Sequence, residues 1–160
     1  MSDSTAAAAA SAAPSQLDVD LARIDSSARW FWWIAGLSLV NTVMAMSGSE
    51  SSFVMGLGFT LVSDAIFANN HLVGLAIDAV AMGFFVLMGV LALRHKLWAF
   101  YLGTAIYALD ALIYVLAGDW LPVGFHALAI WFIALGAVKL IALRRDAATA
   151  PEPVAESASS

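Results

Sequence analysis

Residues 71–93 read HLVGLAIDAVAMGFFVLMGVLAL, and after the basic triplet Arg94, His95 and Lys96 the apolar text resumes as LWAFYLGTAIYALDALIYVL over 97–116. An α-helix needs about 20 apolar residues to cross roughly 30 Å of hydrocarbon, so either run is long enough. A turn of three residues leaves the two helices no arrangement but side by side and antiparallel. The pair therefore sets the fold class as all-α and integral to a membrane.

A third run, 122–143, follows after only Ala117 to Leu121, with Pro122 suited to the first helical turn, where its missing N–H is no loss. A fourth, 30–46, lies upstream and opens on Trp30, Phe31, Trp32 and Trp33, an aromatic belt of the kind found at a membrane interface. The expected architecture is an antiparallel four-helix bundle with spans 30–46, 71–93, 97–116 and 122–143. Ala45-Met46-Ser47 resembles a signal-peptidase site, but the acidic leader before Trp30 is unlike the short basic one of a signal peptide, so a retained anchor is predicted.

Composition agrees with a membrane class: 62% of the 160 residues are hydrophobic and 12% charged. The net charge of −5 comes mostly from acids outside the apolar runs, and no basic patch interleaved with aromatics argues for nucleic acid. The absence of cysteine excludes disulfides, thiolate metal sites and cysteine nucleophiles. Residues 1–16 and 147–160 are rich in Ala and Ser and are predicted to be disordered tails. Between them and the first span, Leu17, Leu21, Ile24 and Ala28 recur at helical spacing behind a Ser15/Asp18 capping box, which predicts an amphipathic helix over 17–29 lying along the cytoplasmic surface.

Segment 51–70 is apolar but interrupted by Gly56, Gly58, Ser63 and Asp64. Charge decides its placement. With four spans, Arg23, Arg29, Arg94, Lys96, Lys139, Arg144 and Arg145 all fall on the cytoplasmic side with both termini, and the external segments hold Glu50, Asp64 and Asp119. A fifth span would put Arg94 and Lys96 outside. The segment is thus expected to be an interfacial or re-entrant helix on the outer face.

Asn41, Asp78, Asp110 and His126 are costly in lipid and must face protein or water. At 1.5 Å per residue they lie roughly 7, 10, 9 and 6 Å from the external ends of their spans, one level in the outer half. Small residues share their helical faces, which turns those faces inward. If Asp78 and Asp110 meet, one carboxyl must be protonated or neutralised by protonated His126. Tyr107 and Tyr114, one turn either side of Asp110, can donate to its carboxylate, and Asn41 can donate or accept. His71 stands at a span end. Lys139 is expected to snorkel to the interface and His95 to be a solvated turn residue.

Three readings of this layer stand side by side. It is structural glue in a small scaffold or accessory subunit of a larger membrane complex; it binds an ion, a proton or a small polar solute from outside; or Asp78, Asp110 and His126 hold a metal, although the spacing matches no HExxH-type motif. Binding without enzymatic activity is preferred, and no cofactor is expected, haem between His71 and His126 being a weak alternative. The expected partners are the lipid bilayer, a small solute or cation, and a membrane protein or second copy of the chain.

WFWWIAGLSLVN (30–41) and YALDALIYVLAGDWLPVGFH (107–126), with a short apolar helix between the first two spans, resemble a group of small bacterial multi-span membrane proteins with no assigned activity. The resemblance covers residues 30–143. It implies a four-helix membrane fold in the bacterial inner membrane, and brings no catalytic residue to carry over.

Overall fold

The computed structural model describes residues 14–47, 57–67 and 70–150. The expectations for residues 1–13, 48–56, 68–69 and 151–160 lie outside the described residues. Among those described, all regular structure is helical: α1 Gln16–Ala28, α2 Trp30–Met46, α3 Gly58–Ile66, α4 His71–Leu93, α5 Leu97–Ala117 and α6 Trp120–Thr149. Three helices, α4 from Leu72 onward, α5 and α6, are long and apolar enough to cross a membrane.

The ends differ from expectation for local reasons. α6 starts at Trp120, two residues early, which leaves Pro122 still within the first turn, where N–H groups have no intrahelical acceptor. It also runs to Thr149, into the expected tail, because Ala147 and Ala148 favour helix and the Thr149 hydroxyl bonds back to the carbonyls of Arg145 and Asp146. α5 stops where Gly118 takes the left-handed conformation, φ 74°, that glycine adopts without strain. Among the described residues of 51–70, Gly58–Ile66 form a helix.

α1 carries the capping box: Ser15 Oγ accepts from the Asp18 amide, and the Asp18 carboxylate accepts from the Ser15 amide. These bonds hold the Asp18 carboxyl below its usual range. α1 packs on α6 and α4. Arg29, at φ −65° and ψ −17°, keeps a helical conformation between α1 and α2, and Trp33 N–H donates to Arg29 O at 3.1 Å. One buried face therefore continues through the junction as Ile24, Ala28, Phe31, Ile34 and Ser38. α1 is thus the amphipathic helix expected over 17–29, and its apolar stripe runs on into that of α2.

Close approach is achieved through glycines. A side chain at Gly136 would run into Ser27, one at Gly103 would sit 2.5 Å from the Phe31 ring, and one at Gly89 would collide with Trp32. Trp30 stacks on Phe132, ring centroids 4.9 Å apart, Trp32 donates to Val86 O at 3.3 Å and Phe31 is buried, so three of the four aromatics of the expected belt are spent on packing.

The 94–96 turn is tied down as well. Arg144 donates to His95 O at 2.7 Å, and His95 Nε2 lies 3.2 Å from Asp25 Oδ1. His95 is thus a bonded turn residue and not merely a solvated one. Lys139 pairs with Asp20 at 2.9 Å, so its ammonium is directed to α1. That bond is the main cause that holds the Asp20 carboxyl below its ordinary value of 3.8.

Two predictions follow from this packing. Gly136→Ala should lower stability in detergent by about 1–3 kcal/mol, the usual cost of overpacking, while Gly83→Ala, which meets no heavy atom within 4 Å, should not lower it. Thermal midpoints of the two variants check this. A carboxyl depressed in the fold contributes stability above its unfolded value and loses it as pH falls through the folded one. Acid should therefore loosen α1 only below about pH 3.8, and Lys139→Met should remove that step from hydrogen exchange of α1.

Candidate functional site

The first amide groups of a helix have no acceptor within it, and Leu57, the residue at the N-terminal cap of α3, offers no side-chain oxygen. The acceptor is supplied by α5. Asp110 Oδ2 accepts from Gly58 N–H and Asp110 Oδ1 from Phe59 N–H, each at 2.8 Å. A carboxylate there also meets the positive end of the helix dipole. Gly58 makes the approach possible: a Cβ would lie 2.9 Å from Tyr114 Cε2 and 3.2 Å from Ile113 Cβ.

From the other side, His126 Nε2 lies 3.0 Å from Asp110 Oδ2, and His126 Nδ1 lies 2.9 Å from Pro122 O one turn back on α6. The ring is buried and flanked by two tyrosines, Tyr107 stacked on it at 4.2 Å and 15°, Tyr114 tilted at 5.3 Å. A carbonyl can only accept, so Nδ1 carries hydrogen. A neutral imidazole then has a bare lone pair at Nε2 facing an oxygen of Asp110. The 3.0 Å contact is a hydrogen bond only if one further proton sits between the two groups.

The other polar residues extend this contact into a chain. Ser38 Oγ accepts from Leu57 N–H at 3.1 Å and donates to Ile34 O at 2.8 Å. One turn further along α2, Thr42 Oγ1 donates to Asp78 Oδ2 at 2.9 Å. The series Asp78, Thr42, Ser38, Leu57-Gly58-Phe59, Asp110, His126 thereby joins α4, α2, α3, α5 and α6.

The expected residues are distributed unequally along it. Asp110 and His126 are in direct contact, with Tyr107 and Tyr114 around them. Asp78 is fully buried on Thr42 instead of converging with that pair, and among the described residues no three His, Asp or Glu side chains group to hold a metal. Tyr107 does not donate to Asp110. Its hydroxyl is buried with no hydrogen-bond partner among the described residues. Asn41 is buried between Ser38 and Thr42 with neither amide atom bonded among the described residues. The side chain of His71 lies outside the described residues.

Ser38, Thr42 and the α3 amides were not anticipated as site groups. Ser38 and Thr42 share a face with Asn41, and that spacing was the available signal; backbone donors leave no signal in residue type. A cleft of about 830 Å³ borders the site between α4 and α5, walled by Ala76, Val80, Phe84 and Ile106, with Asp110 on its inner wall and Leu57 and Phe59 at its edge. No family model, no curated protein and no solved structure matches the chain.

Asp110→Asn replaces one acceptor oxygen by an NH2 group, which leaves an α3 amide without its acceptor at a cost of roughly 1–3 kcal/mol. Hydrogen exchange at Gly58 and Phe59 should then speed up about tenfold to a hundredfold, with the amides in the middle of α5 unchanged. Asp78→Asn should leave the same two amides protected.

Proposed function

We propose that the chain is a multi-span protein of the bacterial inner membrane whose outer polar layer binds a proton between Asp110 and His126. On this reading α2 is a fourth crossing, both termini are cytoplasmic, and α3 lies at the external face. At 1.5 Å per residue the 17 residues of α2 extend about 26 Å, and its continuity with α1 lengthens the rod beyond that. The basic residues cluster with the ends of α1, α4 and α6 that meet at Asp20–Lys139, Asp25–His95 and Arg144, which supports a cytoplasmic location for that end.

The observation that carries the proposal is the pair of acceptors around His126, Pro122 O at 2.9 Å and Asp110 Oδ2 at 3.0 Å. Imidazolium beside carboxylate and imidazole beside carboxylic acid hold the same number of protons. Either form is electrically neutral as a pair, which suits a site with 0% and 5% side-chain exposure for His126 and Asp110. Loss of the proton would leave an uncompensated negative charge in apolar surroundings, so the site binds its proton as an ion-binding site binds its ion.

Nitrogen NMR of histidine-labelled protein in bilayers, with His126→Gln to assign the signals, tests this together with carboxyl infrared absorption. At neutral pH the expected result is a doubly protonated His126 ring or an un-ionised Asp110 carboxyl. A singly protonated ring beside an ionised Asp110 would overturn the proposal.

A further inference from the structure

α3 packs on α4 and α5, and its buried face includes Thr60 and Ser63. Its inter-helix hydrogen bonds among the described residues come from three consecutive amides, Leu57 to Ser38 and Gly58 and Phe59 to Asp110. Thr60 Oγ1 turns back to Leu57 O within α3, and Val62 and Ile66 further along are exposed. Two of the three fastenings depend on one carboxylate, and that carboxylate is the one shared with His126. The residues so fastened, Leu57 and Phe59, border the cleft on whose wall Asp110 lies.

We infer that α3 is a lid latched over the cleft, and that addition of a second proton to the Asp110–His126 pair opens it. This rests on the proton-binding reading and names how the site is regulated. The proton comes from water and adds to Asp110 while His126 keeps its own. Asp110 becomes a neutral acid with one oxygen turned into a hydroxyl, a poorer acceptor for the α3 amides. His126 is left as an unpaired cation beside the positive end of the α3 dipole, and the latch that attracted α3 now repels it. Removal of the shared proton acts differently: it leaves the carboxylate bonded to α3 and weakens only the link to α6.

The titratable groups around the pair are few. α5 brings Tyr107 and Tyr114 against the imidazole and Asp119 at its exposed end, α4 brings Asp78, bonded to Thr42, and α2 faces the site with Ser38, Asn41 and Thr42, none of which titrates. The side chains of Asp64 on α3 and His71 on α4 lie outside the described residues. Asp78→Asn controls for a charge change at the other buried carboxylate.

The chain has no cysteine, so a labelled pair can be introduced cleanly. Val62→Cys on α3 and Leu128→Cys on α6, both exposed, carry spin labels in the full chain in lipid nanodiscs. The expected result is one narrow distance at neutral pH that lengthens and broadens on acidification, with or without Asp78→Asn. Asp110→Asn should show the long distance already at neutral pH and no further change in acid. Gly58→Ala, which crowds Ile113 and Tyr114 and so pushes α3 off while both titrating side chains remain present, should also lengthen it at neutral pH. An unchanged distance in acid, or an acid response that survives in Asp110→Asn, overturns the lid. A doubly protonated His126 with an immobile α3 would sink the lid alone, and a mobile α3 over a singly protonated ring would sink the proton site alone.

Discussion

A carboxylate removed from water must be given donors, and the donors that Asp110 receives fix how α3 and α6 sit on α5. Burying an isolated carboxylate costs several kcal/mol, which charge-assisted bonds must offset. Two of the bonds come from main-chain amides at the start of α3 and one contact comes from His126 on α6. Amide donors cannot be withdrawn unless the helix moves or frays, so the position of α3 follows from the position of Asp110. The same side chain is thus shared by three helices, and Thr42 and Ser38 bring α4 and α2 into the same layer.

The opposite end is held differently. Asp25–His95 and Lys139–Asp20 each include a side chain about one-third exposed, and ion pairs of that kind contribute little on their own. They index α1 against the 94–96 turn and α6 without fixing the depth of the packing. Depth is set in the middle, where Phe31 lies on Gly103, Trp32 on Gly89 and Ser27 on Gly136. Lipid tails are as apolar as the side chains they surround, so helices in a bilayer gain most from such van der Waals contact. The molecule therefore has a tightly packed waist, a solvated set of ion pairs below it and a buried hydrogen-bonded layer above.

Much of that layering is legible in the sequence. Apolar runs of about 20 residues mark α4, α5 and α6, and counting residues inward puts Asn41, Asp78, Asp110 and His126 at one depth. The pairing within the level is not legible. Asp78 and Asp110 look like mutual partners because both are carboxylates, yet each takes different donors, Thr42 in one case and main-chain amides in the other. A backbone N–H is common to nearly every residue, so nothing in residue type marks Gly58 and Phe59 as donors. The only trace is a glycine at the point of closest approach. The apolar stripe of α1 is legible as amphipathic in isolation, and only the structure shows that it runs on through Arg29 into the stripe of α2.

The latch and the hinge of α3 are different bonds with different chemistry. Gly58 and Phe59 donate to a group whose charge a proton can remove, whereas Leu57 donates to the Ser38 hydroxyl, which does not titrate in the accessible range. Ser38 is itself held by its bond to Ile34 O, so its lone pair stays aimed at Leu57 whatever the state of Asp110. Protonation thus loosens two adjacent fastenings and spares the third. A helix released in that way keeps its first residue bound to Ser38 and stays joined to α4, which begins at His71, so its motion is a tilt between those two ties.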